Sequence, residues 1–307
     1  TKFMQILPFD NREGTIWVDG KFIDWKNANM HILNHGLHYG SCVFEGIRLY
    51  EGKIFKLEEH IKRLFDSAKI LDLNIPFNFK EIIQVTKDIT QKQNILNGYI
   101  RPVVWRGSEI MAISAKKAST KIAIAAWEWP SYFSPEKLLE GIKLSKSKWR
   151  RPSPESAPTN SKAAGLYMIC SLSKHEAEKE GFDDALMLDY RGYIAEATGA
   201  NIFFVKNSEI YTPIPDCFLN GITRQVVIKI AKENNIKVNE SYLEMDFLED
   251  CDEVFLTGTA VEITPVSCID NLNFKGREIT KFLISEFKKN ILKYYNFIFQ
   301  SILNCVE

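Results

Sequence analysis

The residues from Asp183 to Val205 constrain the fold most. Asp183-Asp-Ala-Leu-Met-Leu-Asp-Tyr190 is a short apolar run, Arg191-Gly192 breaks it, and Tyr193-Ile-Ala-Glu196-Ala-Thr-Gly199-Ala-Asn201-Ile-Phe-Phe-Val205 supplies two more. Apolar runs punctuated this way read as strands, and so short a turn makes the first two pair antiparallel. Glu196 stands among apolar strand residues just ahead of the Gly199 break. A carboxylate there is partly buried and needs a partner. Either an arginine or a protonated heteroaromatic nitrogen satisfies it, the latter because a nearby negative charge favours the protonated ring.

The rest of the chain alternates strands with helices. Ile16 to Trp25 reads as a β-hairpin across Asp19-Gly20. Between Glu58 and Leu71, Ile61, Leu64, Phe65, Ala68 and Leu71 form one helical stripe, with Arg63 on the opposite, solvated side. A second helix is expected over about Phe79 to Gln93, and strands over Gly98–Arg106 and Thr120–Trp127. A chain of 307 residues is expected to form two domains. The aromatic and proline-rich segment from Trp127 to Pro135 marks the change, giving a smaller N-terminal α/β domain (1–127), a linker (128–137) and a larger C-terminal domain (138–307). The fold class is α+β.

Composition narrows the function. Lys plus Arg and Asp plus Glu balance at 39 each, which argues against nucleic acid or an anionic membrane as partner. Six scattered cysteines contain no C-x-x-C pair, so neither a disulfide framework nor a cysteine metal site is expected. His31, His35, His38 and Cys42 have helical spacing, but Gly36, Gly40 and Gly46 make a helix there doubtful and metal binding is not expected. Thr1 to Leu7 does not resemble a secretory signal, and Ile279 to Val306 is amphipathic because five charged residues, Lys281, Glu286, Lys288, Lys289 and Lys293, interrupt it. A cytoplasmic protein is the expectation.

Four stretches carry chemistry. In Ala157-Pro-Thr-Asn-Ser-Lys162-Ala-Ala-Gly-Leu-Tyr167, a lysine sits where a Pro/Ser-rich loop meets a helix, read from Leu166, Ile169, Cys170, Leu172 and Ala177 and stopped by Gly181. The positive end of a helix disfavours an ammonium group and favours the nucleophilic amine. Leu219-Asn-Gly221-Ile222-Thr223 opens an amphipathic helix whose first amides suit a dianion, although a threonine there is more often a cap. Thr257-Gly258-Thr259-Ala260 ends an apolar strand in a small-residue turn that suits close approach to a phosphate. In Tyr99-Ile-Arg101 the period of a strand puts phenol and guanidinium on one face, fit to hold a carboxylate.

These motifs, with His35 to Tyr50, Glu59-His-Ile-Lys-Arg63, Glu196 to Asn201 and Thr257 to Pro265, occur in one order and resemble the fold type IV pyridoxal phosphate enzymes, in particular the branched-chain amino acid aminotransferases. That resemblance implies two α/β domains with mostly antiparallel sheets and helices, pyridoxal 5'-phosphate in the cleft between domains, and a homodimer. It implies that Lys162 takes the cofactor aldehyde and moves the substrate α-proton, that Glu196 faces the ring nitrogen and that Tyr167 faces the ring hydroxyl. Arg63, Gly199, Leu219, Gly221, Ile222, Thr223, Gly258 and Thr259 are the further cofactor contacts it implies. Tyr39, Phe44, Tyr99, Arg101, Trp129, Tyr132 and Ala260 are the implied substrate pocket. Ala200 departs from the glutamate many relatives carry before Asn201. D-amino acid and amine transaminases and an aminodeoxychorismate lyase share the fold type and stay open, as do a non-catalytic relative and a metal-dependent hydrolase.

Overall fold

The computed structural model describes residues 7–129 and 132–303; Thr1 to Met4 and the end of the chain, with Cys305 and Val306, lie outside them. Two compact units emerge, Thr1–Pro130 with Ser161–Gly165, and Ser131–Asn160 with Leu166–Glu307. A short segment containing Lys162 therefore returns to the first unit from within the second half of the sequence.

In the first unit the strands are β1 (Thr15–Val18), β2 (Lys21–Asp24), β3 (Cys42–Phe44), β4 (Ile47–Tyr50), β5 (Lys53–Ile54), β6 (Gly98–Arg106) and β7 (Thr120–Glu128). They form an antiparallel sheet in the order β2-β1-β7-β6-β4-β5, with β3 also paired to β6. Asp19 and Gly20, both at positive φ, close the β1–β2 hairpin. Helices α1 (His35–Tyr39), α2 (Leu57–Ile70) and α3 (Phe79–Lys92) complete the unit. A capping box between Asn78 and Glu81 starts α3. Ile61, Leu64, Ile82 and Ile89 pack against Ile47, Ile100, Ile122 and Ile124 of the sheet.

Doubt about a helix at His35 is corrected: Asn34 caps α1 by accepting from Gly36 N, and Gly40, at φ +70°, ends it. One glycine thus terminates the helix instead of preventing it.

The second unit contains α4 (Pro135–Glu140), β8 (Ile142–Arg151), α5 (Met168–Lys179), β9 (Asp184–Asp189), β10 (Ile194–Ala197), β11 (Asn201–Lys206), β12 (Glu209–Pro213), α6 (Ile222–Glu233), β13 (Val238–Ser241), β14 (Glu253–Gly258), β15 (Glu262–Ile269), β16 (Leu272–Asn273) and α7 (Glu278–Leu303). Its sheet runs β10-β9-β8-β15-β14-β11-β12-β13, with three parallel pairings among otherwise antiparallel ones. Strands β9 and β10 are buried at every residue, as expected of strands covered on both faces. The turn at Arg191-Gly192 closes the β9–β10 pair as the sequence predicts, with the Asp189 carboxylate accepting from the amides of Arg191, Gly192 and Tyr193. Among the described residues no helix is long and apolar enough to cross a membrane.

Candidate active site

Lys162 is held by its backbone. Its N–H donates to Ser67 Oγ on α2 at 2.9 Å, its carbonyl accepts from Phe44 N at 3.2 Å, and Ala163 bridges Val43. The Lys162 Nζ lies 5.0 Å from the centroid of the Phe44 ring, and Arg101 Cζ lies 4.7 Å from the same ring. Placement of the lysine at a helix start needs correction. A 3-10 turn over Ala164–Tyr167 intervenes and α5 begins only at Met168. The backbone around Lys162 is committed to β3, so the helix dipole, which fades within a turn, does not act on the amine. The α5 stripe also differs: Leu172 is exposed, and Ser173 joins Cys170 and Ala177 on the buried face.

Arg63 is half-buried and paired rather than simply solvated. Its Nε donates to Glu45 Oε1 at 2.6 Å and its Nη2 to Oε2 at 2.9 Å. His60 Nδ1 meets the same Oε2 at 2.7 Å and Gly46 N meets it at 3.3 Å. His60, Arg63 and Ser67 form a second, polar stripe on α2, one that apolar periodicity does not register. Burial alone would raise the Glu45 carboxyl, but the Arg63 charge and the His60 hydrogen bond outweigh it and hold the group well below the usual carboxylate range. Burial pushes the His60 imidazole below its ordinary value despite Glu45. The pair is therefore a carboxylate and a neutral imidazole donating through Nδ1–H. Sequence reading misses Glu45 and His60. The spacing of His60, Arg63 and Ser67 at i, i+3 and i+7 is the available signal.

The Tyr99–Arg101 pair forms as the strand period predicts, with Arg101 Nη2 donating to Tyr99 Oη at 3.3 Å. Tyr99 packs against Trp129 at 5.7 Å between ring centroids. Gly46 permits this, since a Cβ there would come 1.8 Å from Tyr99 Oη. Tyr39, at the end of α1, is exposed and lies against His35.

In the second unit, Glu196 on β10 meets a charged group at one oxygen and a neutral donor at the other. Arg151 Nε stands 3.3 Å from Oε1, close enough for charge attraction but off the line of a hydrogen bond, and Asn201 Nδ2 donates to Oε2 at 3.3 Å. Both contacts are longer than a tight charge-assisted bond, unlike those on Glu45. Arg151 also donates to the Leu166 carbonyl and the Cys170 sulfur, each at 3.3 Å. Burial would lower the Arg151 guanidinium, yet Glu196 and its other neighbours raise it. Tyr167, beside Arg151, is the residue before α5 and makes no side-chain cap.

Asn201 ties this carboxylate to the next stretch, donating to the Leu219 carbonyl at 3.0 Å and accepting from Gly221 N at 3.1 Å. A Cβ at Gly221 would meet Asn201 Oδ1 at 2.3 Å, so a larger residue there would displace the asparagine side chain. Helix α6 then starts at Ile222 with no side chain capping it. Thr223 is the second residue of α6, is buried and makes no side-chain cap. A Cβ added at Gly199 meets nothing within 4 Å, and Ala200 is buried in the core beside Gly258. Thr259 and Ala260 follow the last residue of β14 in a turn. Tyr132 lies against Phe133, with Lys174 Nζ 5.9 Å from its ring centroid.

The histidines have other duties. His35 joins Ser41 Oγ at 3.0 Å and the Ala112 carbonyl at 2.9 Å, and His38 Nε2 donates to the Ile32 carbonyl. Among the described residues one group of potential metal ligands converges, Asp189, Asp216 and Cys217, and Arg191 Nη2 bonds both carboxylates, at 2.6 and 2.9 Å.

The first unit thus presents a lysine anchored at its backbone, and the second a helix whose start no side chain caps. The chain belongs to the amino-transferase class IV family, whose model matches residues 42–269. It is 41% identical over 273 residues to the branched-chain-amino-acid aminotransferase of Pseudomonas aeruginosa, covering 88% of this chain and 87% of that protein. It superposes on the crystal structure of the Escherichia coli branched-chain amino acid aminotransferase with TM-score 0.88 and 37% identity, covering 91% and 94% of the two chains. The crystal structure of an aminotransferase from Brucella abortus bound to the co-factor PLP matches with TM-score 0.82 at 30% identity, covering 91% of this chain and 99% of that one.

Proposed function

We propose that the chain is a pyridoxal 5'-phosphate-dependent transaminase acting between branched-chain L-amino acids (leucine, isoleucine, valine) and 2-oxoglutarate, giving branched-chain 2-oxo acids and glutamate. Its membership of the class IV family and its likeness, along nearly its whole length, to branched-chain amino acid aminotransferases support this reading. The observation that carries it for this chain is Lys162, fixed at both N–H and C=O with its amine beside the Phe44 ring that the Arg101 guanidinium also meets.

The residues fit the cofactor. An α6 N-terminus left uncapped, entered through Gly221, suits a phosphate, and a buried carboxylate on β10 suits a protonated ring nitrogen. When bound, pyridoxal phosphate supplies an electron sink that makes the α-proton of an attached amino acid acidic.

In the first unit, Lys162 Nζ binds the aldehyde and takes the proton from the substrate α-carbon. Arg63 holds phosphate oxygens through Nη1 and the second Nη2 hydrogen, the donors its bonds to Glu45 leave over. Tyr99 and Arg101 bind a substrate carboxylate, while Phe44, Tyr39 and Trp129 supply apolar walls. In the second unit, Glu196 holds a proton at the ring nitrogen and Tyr167 donates to the ring hydroxyl. The amides of Ile222 and Thr223, the Leu219-to-Gly221 turn, and Gly258 and Thr259 bind phosphate, with Gly199 leaving space for the ring. Ala260 meets the substrate carboxylate and Tyr132 the side chain.

A homodimer belongs to the same reading. So does a cytoplasmic location. One site serving two acids in turn predicts parallel double-reciprocal lines when leucine and 2-oxoglutarate are varied. Lys162→Ala should fold, by circular dichroism, and lose all turnover. Retained turnover in that variant would overturn the assignment.

A further inference from the structure

We propose that Glu45 is a positioning residue that sets the Arg63 guanidinium for the cofactor phosphate. This rests on the reading of Arg63 as a phosphate contact.

The support is graded burial along one chain of bonds. Glu45 is completely buried, His60 is 1% exposed, and the Arg63 side chain keeps 18% of its surface. The carboxylate thus grips the arginine from beneath, and the arginine is the end that reaches accessible surface. A carboxylate buried so fully demands strong partners. It has them in the two parallel bonds from Arg63 and the third from His60 Nδ1. The two parallel bonds fix the plane of a guanidinium as well as its position, which one bond would not do. With His60 neutral, one negative and one positive charge cancel beneath the surface, so the arginine is already ordered before an anion arrives.

The same frame reaches the lysine. Phe44, the residue before Glu45, donates to the Lys162 carbonyl, and Ser67, one turn beyond Arg63 on α2, accepts from Lys162 N. In pyridoxal phosphate the aldehyde and the phosphate arm sit on neighbouring ring carbons. A fixed spacing between lysine and arginine is what such a ligand needs, and Glu45 joins the strand that holds one to the helix that carries the other.

The test compares the affinity of the apoprotein for pyridoxal 5'-phosphate and for pyridoxal, which lacks the phosphate, by fluorescence titration. Wild type, Arg63→Met, Glu45→Gln and the double variant are measured. Glutamine offers one acceptor where the fork needs two and turns an amide N–H against the guanidinium. Both single variants should lose roughly 10- to 100-fold of the preference for the phosphorylated ligand, the worth of a hydrogen bond to a charged group, and the double variant should lose little more than either. Equal weakening of both ligands by Glu45→Gln, or no change, would overturn the positioning role. A preference kept by Arg63→Met would instead overturn the reading of Arg63. Should Glu45→Gln fail to fold, Glu45→Asp keeps the charge but withdraws it by one methylene; it should lose part of the preference, and full preference there counts equally against the proposal.

Discussion

Replacing Arg151 by methionine should uncouple the charge state of Glu196 from the rest of the second unit. Arg151 is 4% exposed and Glu196 9%, so the methionine fills similar space but takes the guanidinium away from a buried carboxylate. Removing one partner of a buried pair costs about 3–5 kcal/mol, and a contact at 3.3 Å off the hydrogen-bond line belongs near the lower figure. Loss of the bonds to the Leu166 carbonyl and Cys170 sulfur adds about 1 kcal/mol each at most. Urea unfolding of the apoprotein should therefore show a loss of about 3–5 kcal/mol. The chemical consequence is separate. Without the guanidinium, burial favours the neutral carboxyl, and the proton meant for the ring nitrogen shifts toward Glu196. With 15N-labelled pyridoxal phosphate bound, the ring nitrogen resonance should move toward its unprotonated position, and leucine α-proton exchange should slow about tenfold for each 1.4 kcal/mol of stabilisation lost at the barrier. Arg151→Lys should restore much of the resonance position. An Arg151→Met protein with wild-type stability and an unshifted nitrogen would refute the reasoning.

Two further outcomes follow from named contacts. Gly46→Ala drives a Cβ into Tyr99 Oη, so Tyr99 must leave Arg101; KM for leucine should rise about tenfold, the loss of one hydrogen bond to a charged group, while the cofactor spectrum stays unchanged, and an unchanged KM would contradict the pair's role. His60, faced by Glu45, Arg63 and Lys162, has its folded value lowered, so the folded state binds fewer protons than the unfolded chain; its contribution is full above about pH 6.5 and is lost as pH falls below that, by at most about 1.4 kcal/mol per pH unit, with Glu45 adding a further loss below about pH 4.5. Unfolding free energies between pH 7.5 and 5 should flatten in His60→Gln, and equal slopes in both proteins would exclude His60 as the cause.

How far the sequence exposes all this depends on the range of each interaction. The Asp19-Gly20 hairpin, α2, α3 and the strands around Arg191-Gly192 are legible because local turn chemistry and apolar period decide them. The Tyr99–Arg101 pair is legible for the same reason, two residues apart on one strand. Long-range commitments are not. Nothing local tells that Ser161–Gly165 joins the first unit, and it is this pairing with β3 that keeps Lys162 out of a helix. Arg63 looks solvated because its partner Glu45 lies in a different element, and a polar stripe facing inward has the same spacing as one facing water. Glu196 is recognisable as needing a partner, but an arginine and an asparagine both answer, from β8 and β11. Thr223 does not cap α6 because Gly221, held by Asn201, already occupies the cap position.

The most direct measurement is the visible spectrum of the purified protein with pyridoxal 5'-phosphate, before and after leucine is added without an oxo-acid acceptor. The account predicts a band from cofactor joined to Lys162, absent in Lys162→Ala, which leucine converts to the spectrum of pyridoxamine phosphate and 2-oxoglutarate restores. A protein that forms no such band, or whose band leucine leaves unchanged while D-alanine bleaches it, would contradict branched-chain transamination by this site.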